Sequence, residues 1–142
     1  MLRGQFSPRS AALTGEPGVD DSTRRTRLDD EALQHLRELD PTGANRLLER
    51  VFHAFETSAG RLMPQLRVAQ ETNNHLGVRY VSHTLKSASA HIGAIKLSCL
   101  CAEMEAMADL CVADGLPERI DQLTLEMTSV LEALRQFPGV HL

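Results

Sequence analysis

Apolar residues recur along this chain three and four positions apart, the period of α-helices that bury one face. The cleanest run is Val78, Val81, Leu85, Ala88 and Ile92, a seam of the kind that packs inside a helical bundle. It predicts a helix capped by Asn73 or Asn74, after the polar joint Glu71-Thr72-Asn73-Asn74, and ended or loosened by Gly93. Before it, a short helix is expected at about 29–38, with Asp29 or Asp30 as cap and Leu33, Leu36 and Leu39 as contacts. Asp40-Pro41-Thr42-Gly43 breaks that helix. The next begins near 43–44 and carries Leu47, Leu48, Val51, Phe52 and Phe55, then Leu62, Leu66 and Ala69. Gly60 and Pro64 interrupt the pattern, which leaves one kinked helix or two abutting ones; a single kinked helix is the favoured reading. A further helix is expected at about 94–113, its stripe being Ile95, Leu97, Leu100, Cys101, Met104, Ala108 and Cys111. Asp114-Gly115-Leu116-Pro117 reads as a stop. The last helix, about 118–136, turns Ile120, Leu123, Met127, Val130, Leu131 and Leu134 inward and ends at Phe137-Pro138-Gly139.

Four substantial helices with short links predict an all-α fold: an antiparallel up-down-up-down four-helix bundle, with a short additional N-terminal helix covering one end. Composition agrees. Aromatics are 4% of the 142 residues and Trp is absent, so Leu, Ala, Met and Val must fill the core. That suits close helix packing; a sandwich or barrel would want more β-branched and aromatic side chains. Residues 1–28 hold Pro8, Gly15, Pro17 and Gly18 with no sustained period and read as a flexible tail. The bundle is assigned to 29–137, and 138–142 to a short C-terminal tail.

The formal net charge is -4, and residues 1–28 hold five Arg against three acidic residues, so the rest of the chain is near -6. A negative body argues against nucleic-acid binding, which needs an electropositive footprint. The basic cluster Arg24-Arg25-Thr26-Arg27 reads as a soluble linker. No apolar run is long enough to span a membrane, and the N-terminal stretch lacks the apolar core of a secretory signal. Cysteines 99, 101 and 111 are odd in number and set in helices, so they are expected to be core or semi-core thiols in a reducing cytoplasm.

The candidate chemistry lies opposite the seam. His83 is about 200° from Leu85 on the helical wheel and therefore points away from the core. Arg79, Lys86, Ser87 and Ala90 share its side. A neutral imidazole is a competent nucleophile near neutral pH, and on an exposed helix shoulder it can receive a phosphoryl group and pass it on. Lys86, one turn along, is a suitable partner for phosphoryl oxygens, while small Ser87 and Ala90 leave room for a second protein. Other chemistries lack support. No strained nucleophile turn accompanies Ser87 to make a triad, and His75, His83 and His91 are two turns apart and cannot form a compact metal pair. No glycine-rich phosphate loop is present.

The run His83-Thr84-Leu85-Lys86-Ser87-Ala88-Ser89-Ala90-His91-Ile92-Gly93-Ala94 resembles the histidine-containing phosphotransfer (HPt) domain family. That signature has a histidine, a hydrophobic residue two on, lysine three on, glycine or serine four on, small residues, and a glycine ten on. Leu100-Cys101-Ala102-Glu103-Met104-Glu105 is similar to the family's following segment, and the likeness covers about 29–136. Ser82, in place of a frequent alanine, and Ser87, in place of the commonest glycine, are its mild departures.

The resemblance implies that His83 is the phosphoacceptor and that Lys86 contacts the phosphoryl oxygens, with Ser87 as adjacent polar support. Glu105 stands where relatives carry Gln or Glu, a residue that can hydrogen-bond the other ring nitrogen and orient it. Gly93 would permit close packing where two helices converge, and Arg79 and Ala90 are candidates for the docking surface. The implied function is a phosphorelay carrier without ATP-dependent kinase activity. It would exchange phosphate with the aspartate of a response-regulator receiver domain, such as that of a hybrid sensor histidine kinase. No cofactor is expected on this chain; Mg²⁺ is expected in the partner receiver. The chain is expected to be a cytoplasmic monomer that binds neither nucleic acid nor membrane. Two alternatives stand beside this reading: a non-phosphorylated HPt-like adaptor, and a purely structural helical bundle.

Overall fold

The structure, a computed structural model, describes residues 28–138 and Val140. The expected N-terminal tail, 1–28, therefore lies outside the described residues except for Leu28. Five helices follow one another: α1 (Asp30–Leu39), α2 (Leu47–Glu71), α3 (His75–His91), α4 (Ile95–Asp109) and α5 (Leu116–Arg135). There are no strands among the described residues. No helix among them is long and apolar enough to cross a membrane.

The four long helices run antiparallel, as the side-chain pairs between them show. Arg79 meets Asp109 and His83 meets Glu105, so α3 and α4 are opposed. Arg119 meets Glu103 and Lys96 meets Glu126, which opposes α4 and α5. Arg67 meets Asp121 and Arg135 meets Glu56, which closes the ring between α2 and α5. Packing is most extensive between α3 and α4, and α1 rests on α2.

The interior is the aliphatic core that the composition calls for. Phe52, Leu62, Leu66, Leu85, Leu97, Met104, Leu123 and Leu134 are almost completely buried, and Leu33 and Leu36 bring α1 onto the same cluster. Phe137 and Phe52 meet edge to face, with centroids 5.5 Å apart, and the Arg37 guanidinium lies over the Phe137 ring. Val140 is buried against the core, so packing continues into the segment assigned to a C-terminal tail.

Several helix ends differ from expectation. α2 starts at Leu47, not near 43–44, because the buried Asp40 carboxylate accepts from the Asn45 and Leu47 backbone N–H groups and caps the first turn from outside it. α2 then runs unbroken through Gly60 and Pro64. The carbonyl that Pro64 deprives of a partner belongs to Gly60, and both residues are exposed, so water can satisfy it. α5 starts at Leu116 rather than 118: Pro117 sits in its first turn, where a missing N–H costs nothing, so the apparent stop is a start. α4 ends at Asp109, which puts Cys111 outside the helix. All three cysteines are expected to be core or semi-core thiols, but Cys99 and Cys111 are exposed and only Cys101 is buried. Leu39 and Ile95, expected to pack, are exposed at helix ends. In the α3 seam Ala88 is only half-buried, while Ser82 and Ser89 are fully buried with no hydrogen-bond partner for their hydroxyls.

One kind of turn closes three of the helices. After α2, Asn74 N–H donates to Ala69 and Asn73 N–H to Gln70; after α3, Ala94 donates to Ser89 and Gly93 to Ala90; after α4, Val112 donates to Met107 and Cys111 to Ala108. Each turn needs a left-handed residue, supplied by Asn73, Gly93 and Cys111. Gly93 has a second constraint. Its carbonyl accepts from Asp29 N–H at 2.7 Å, and an added Cβ would lie 2.7 Å from that same nitrogen. The close approach expected at Gly93 is thus made by the chain entering α1, and Asp29 in turn caps α1 by accepting from Ala32 N–H.

These turns set a graded stability series for thermal or denaturant unfolding. Cys111→Gly removes the left-handed penalty of a side-chain-bearing residue and should stabilise by about 1 kcal/mol. Gly115→Ala, at φ +82 in open space, should cost about 1 kcal/mol, and Gly93→Ala, at the same φ but against Asp29, should cost at least about 2 kcal/mol. Equal costs at the two glycines would mean that the Asp29 contact does not constrain the fold.

Candidate functional site

The centre of the site is one carboxylate shared by two turns of α3. Glu105, on α4, is largely buried with 13% of its side chain exposed. Its Oε2 lies 2.9 Å from His83 Nδ1 and its Oε1 2.6 Å from Lys86 Nζ. His83 and Lys86 stand three residues apart and so project from neighbouring positions on α3, within reach of one group on the facing helix. The hydrogen bond from Lys86, and secondarily that from His83, holds the Glu105 carboxyl below its ordinary value of 4.5.

The ionised carboxylate determines the state of the ring. A carboxylate can only accept, so Nδ1 must carry the proton and donate. In the neutral imidazole, Nε2 is then left with its lone pair. The His83 side chain is 61% exposed, so the arrangement is a ring tied at one nitrogen and open to solvent.

Around this centre lie Cys101 and two residues that the sequence does not mark, Ser98 and Asp109. Ser98 Oγ donates to the Lys86 backbone carbonyl at 3.0 Å and joins α4 to α3 beside the site. Cys101, one turn before Glu105, is fully buried; burial above all, with Glu105 adding to it, pushes its thiol up to about 12, so it remains protonated. Asp109 holds Arg79 at 2.6 Å. Arg79, considered as a free docking charge, is thus paired across the α3–α4 seam. No local signal in the sequence could have found Ser98 or Asp109, because both act across helices and need the register of α4 against α3.

The outward face of α3 is a stripe in its own right. Leu76, Tyr80, His83, Ser87 and Ala90 repeat at four and three residues, and all five are exposed. Leu76 and Tyr80 are unusually open for large apolar side chains, at 77% and 61%. Ser87 and Ala90 continue the same face beyond His83 with small side chains. The structure thus brings His83, Lys86 and Glu105 into direct contact, sets Ser87 and Ala90 on the open face, and leaves Gly93 at the far end of α3 as a structural turn.

The network has a pH signature. Because Glu105 titrates below 4.5 in the folded chain, its contribution to stability is complete above that value and is lost as pH falls through the lower folded-state value. Glu105→Gln should therefore show a smaller loss of Tm than the parent chain between pH 5 and pH 3, measured by circular dichroism. An unchanged acid limb would mean that the carboxylate does not contribute through its charge.

Comparisons with known proteins come to the same place. The family model of the Hpt domain matches residues 50–137. No curated protein matches the chain. Among solved structures, it is similar to the crystal structure of histidine-containing phosphotransfer protein B (HptB) from Pseudomonas aeruginosa PAO1, with a TM-score of 0.70 and 24% identity over 77% of this chain and 91% of that one. An identity that low speaks for the fold alone, whereas the family match spans more than half of the chain. With five helices, an exposed histidine on the second helix of the bundle and this match over the bundle, the chain belongs to the Hpt domain family, the phosphocarriers of phosphorelay signalling.

Proposed function

We propose that this protein relays a phosphoryl group between His83 and the aspartate of a response-regulator receiver domain. The observation that carries this reading is the exposed ring tied through Nδ1 to an ionised carboxylate, which leaves Nε2 as the available nucleophile. In the forward step the Nε2 lone pair attacks the phosphorus of the receiver's aspartyl phosphate. The N–P bond forms as the bond from phosphorus to the aspartate oxygen breaks, and the receiver recovers its carboxylate. Through this step Nδ1–H stays on Glu105, which offsets the positive character that the ring acquires.

Lys86 contacts the phosphoryl oxygens, and Ser87 offers a small polar neighbour on the exposed side. Mg²⁺ held by the receiver would supply further charge stabilisation to the transferring group. This chain contributes a rigid support, the nucleophile and one cation, and has no ATP-dependent kinase activity. Leu76 and Tyr80 on one side of His83, and Ser87 and Ala90 on the other, form the surface on which the receiver docks: apolar side chains at one end, small ones where backbones must approach. The receiver domain of a hybrid sensor histidine kinase is one such partner, and the protein acts as a cytoplasmic monomer.

The test is transfer from a phosphorylated receiver domain. The parent chain should acquire label that is labile to acid and stable to base, and His83→Gln should acquire none. Lys86→Ala should slow transfer by about tenfold, as expected for losing one charge-assisted hydrogen bond, while its helical circular dichroism stays parent-like. Binding of receivers without any transfer of label would favour an adaptor and overturn the relay.

A further inference from the structure

The run Arg24-Arg25-Thr26-Arg27 is the one basic cluster in the sequence, and the relay described above gives it no part. The place where this part of the chain joins the bundle gives it one. Leu28 packs against the core, and Asp29 N–H donates to the Gly93 carbonyl at 2.7 Å, so the chain enters at the turn between α3 and α4. That turn ends the same seam in which His83 and Glu105 meet. We propose that Arg24 and Arg25 form a binding site for the phosphoryl group carried by His83 of the same chain. This rests on His83 being the phosphoacceptor.

The reach is right. From Gly93 back to His83 is ten residues of α3, about 15 Å along the helix. From Leu28 back to Arg24 is four residues, which span up to about 14 Å, and the long arginine side chain adds to that. Arg25 has about 10 Å of chain before its side chain begins, whereas Arg27, next to Leu28, falls short. The way between is low. The open face of α3 carries only Ala90 and Ser87 between the turn and His83, both exposed and both small.

The charge is right as well. Beside His83 the ionised groups cancel in pairs: Lys86 is on Glu105 and Arg79 on Asp109, each at 2.6 Å. A phosphoryl group adds close to two negative charges. Turning Lys86 toward it moves a cation without adding one, because Glu105 is then left uncompensated. New positive charge must come from outside these pairs, and the bundle as a whole is acidic. Arginine is also the side chain whose planar fork matches phosphoryl oxygens two at a time. A receiver that takes the phosphoryl group has to displace these guanidinium groups, so the N-terminal segment and the partner compete for the same oxygens.

Limited trypsin digestion of the full chain, read by mass spectrometry, tests this, because trypsin cuts after arginine. His83 is first phosphorylated with potassium phosphoramidate: Nε2 attacks phosphorus, the ring N–P bond forms, and ammonia leaves with the electron pair of the broken bond. Phosphorylation should slow cleavage after Arg24 and Arg25 by about fivefold, the scale of exposed charge pairs, and leave cleavage after Arg9 unchanged. Salt at about 0.5 M should remove the difference. His83→Gln given the same treatment should show no protection, and His83→Asn serves if the Gln variant loses its helical circular dichroism. Protection that persists in these variants overturns the proposal, as does protection that extends equally to Arg9. Protection that fades on dilution overturns it too, since the arginines would then belong to another copy. A chain labelled at His83 but cut at the unphosphorylated rate defeats this site and leaves the relay standing; a chain that takes no label at His83 defeats the relay, and the site with it.

Discussion

The register of α4 against α3 is the constraint on which the site depends. His83 and Lys86 are local neighbours on one helix, but Glu105 comes from another, and a shift of α4 by a single residue would turn its side chain about 100° away. The joint between the two helices is too short to leave that register free. α3 closes with a left-handed Gly93, and Ala94 hydrogen-bonds back to Ser89 and immediately caps α4. Ser98 to the Lys86 carbonyl and Arg79 to Asp109 then fasten the pair on either side of Glu105. On α3 the hydroxyls of Ser82 and Ser89 are buried without a partner among the described residues, a cost that such small side chains keep low.

The same register explains why the chemistry is divided as it is. A histidine on a free helix would exchange its ring proton between two nitrogens and turn about its own bonds. Here the facing helix supplies an acceptor that is mostly removed from water, while the opposite edge of the ring is left in solvent. The bundle therefore acts on the nucleophile from beneath and leaves its upper side to whatever protein docks there.

Much of this was legible in the chain. The apolar periodicity marks all five helices, and the 3-and-4 spacing of Val78, Val81, Leu85 and Ile92 correctly directs His83 outward. What it misjudges are the helix ends. Cys111 carries none of the glycine signature of a left-handed turn, so the apolar stripe of α4 reads past its true end. Pro117 is ambiguous because proline both stops helices and starts them. Leu39 and Ile95 are apolar in sequence yet exposed, since a terminal residue can face solvent while its pattern still fits. In the site, His83 and Lys86 stand out by their face on the helix, and Glu105 by family resemblance. Ser98 and Asp109 carry no local mark at all: their importance arises only when two helices are laid side by side.

The exposure of Tyr80 has a practical consequence. The chain contains no tryptophan and a single tyrosine, so its aromatic emission comes almost wholly from that ring. Tyr80 lies three residues before His83 on the same open face, with 61% of its surface in solvent. The protein thus carries one built-in optical reporter, located by the fold beside its reactive group, and any molecule that covers this face announces itself without a label.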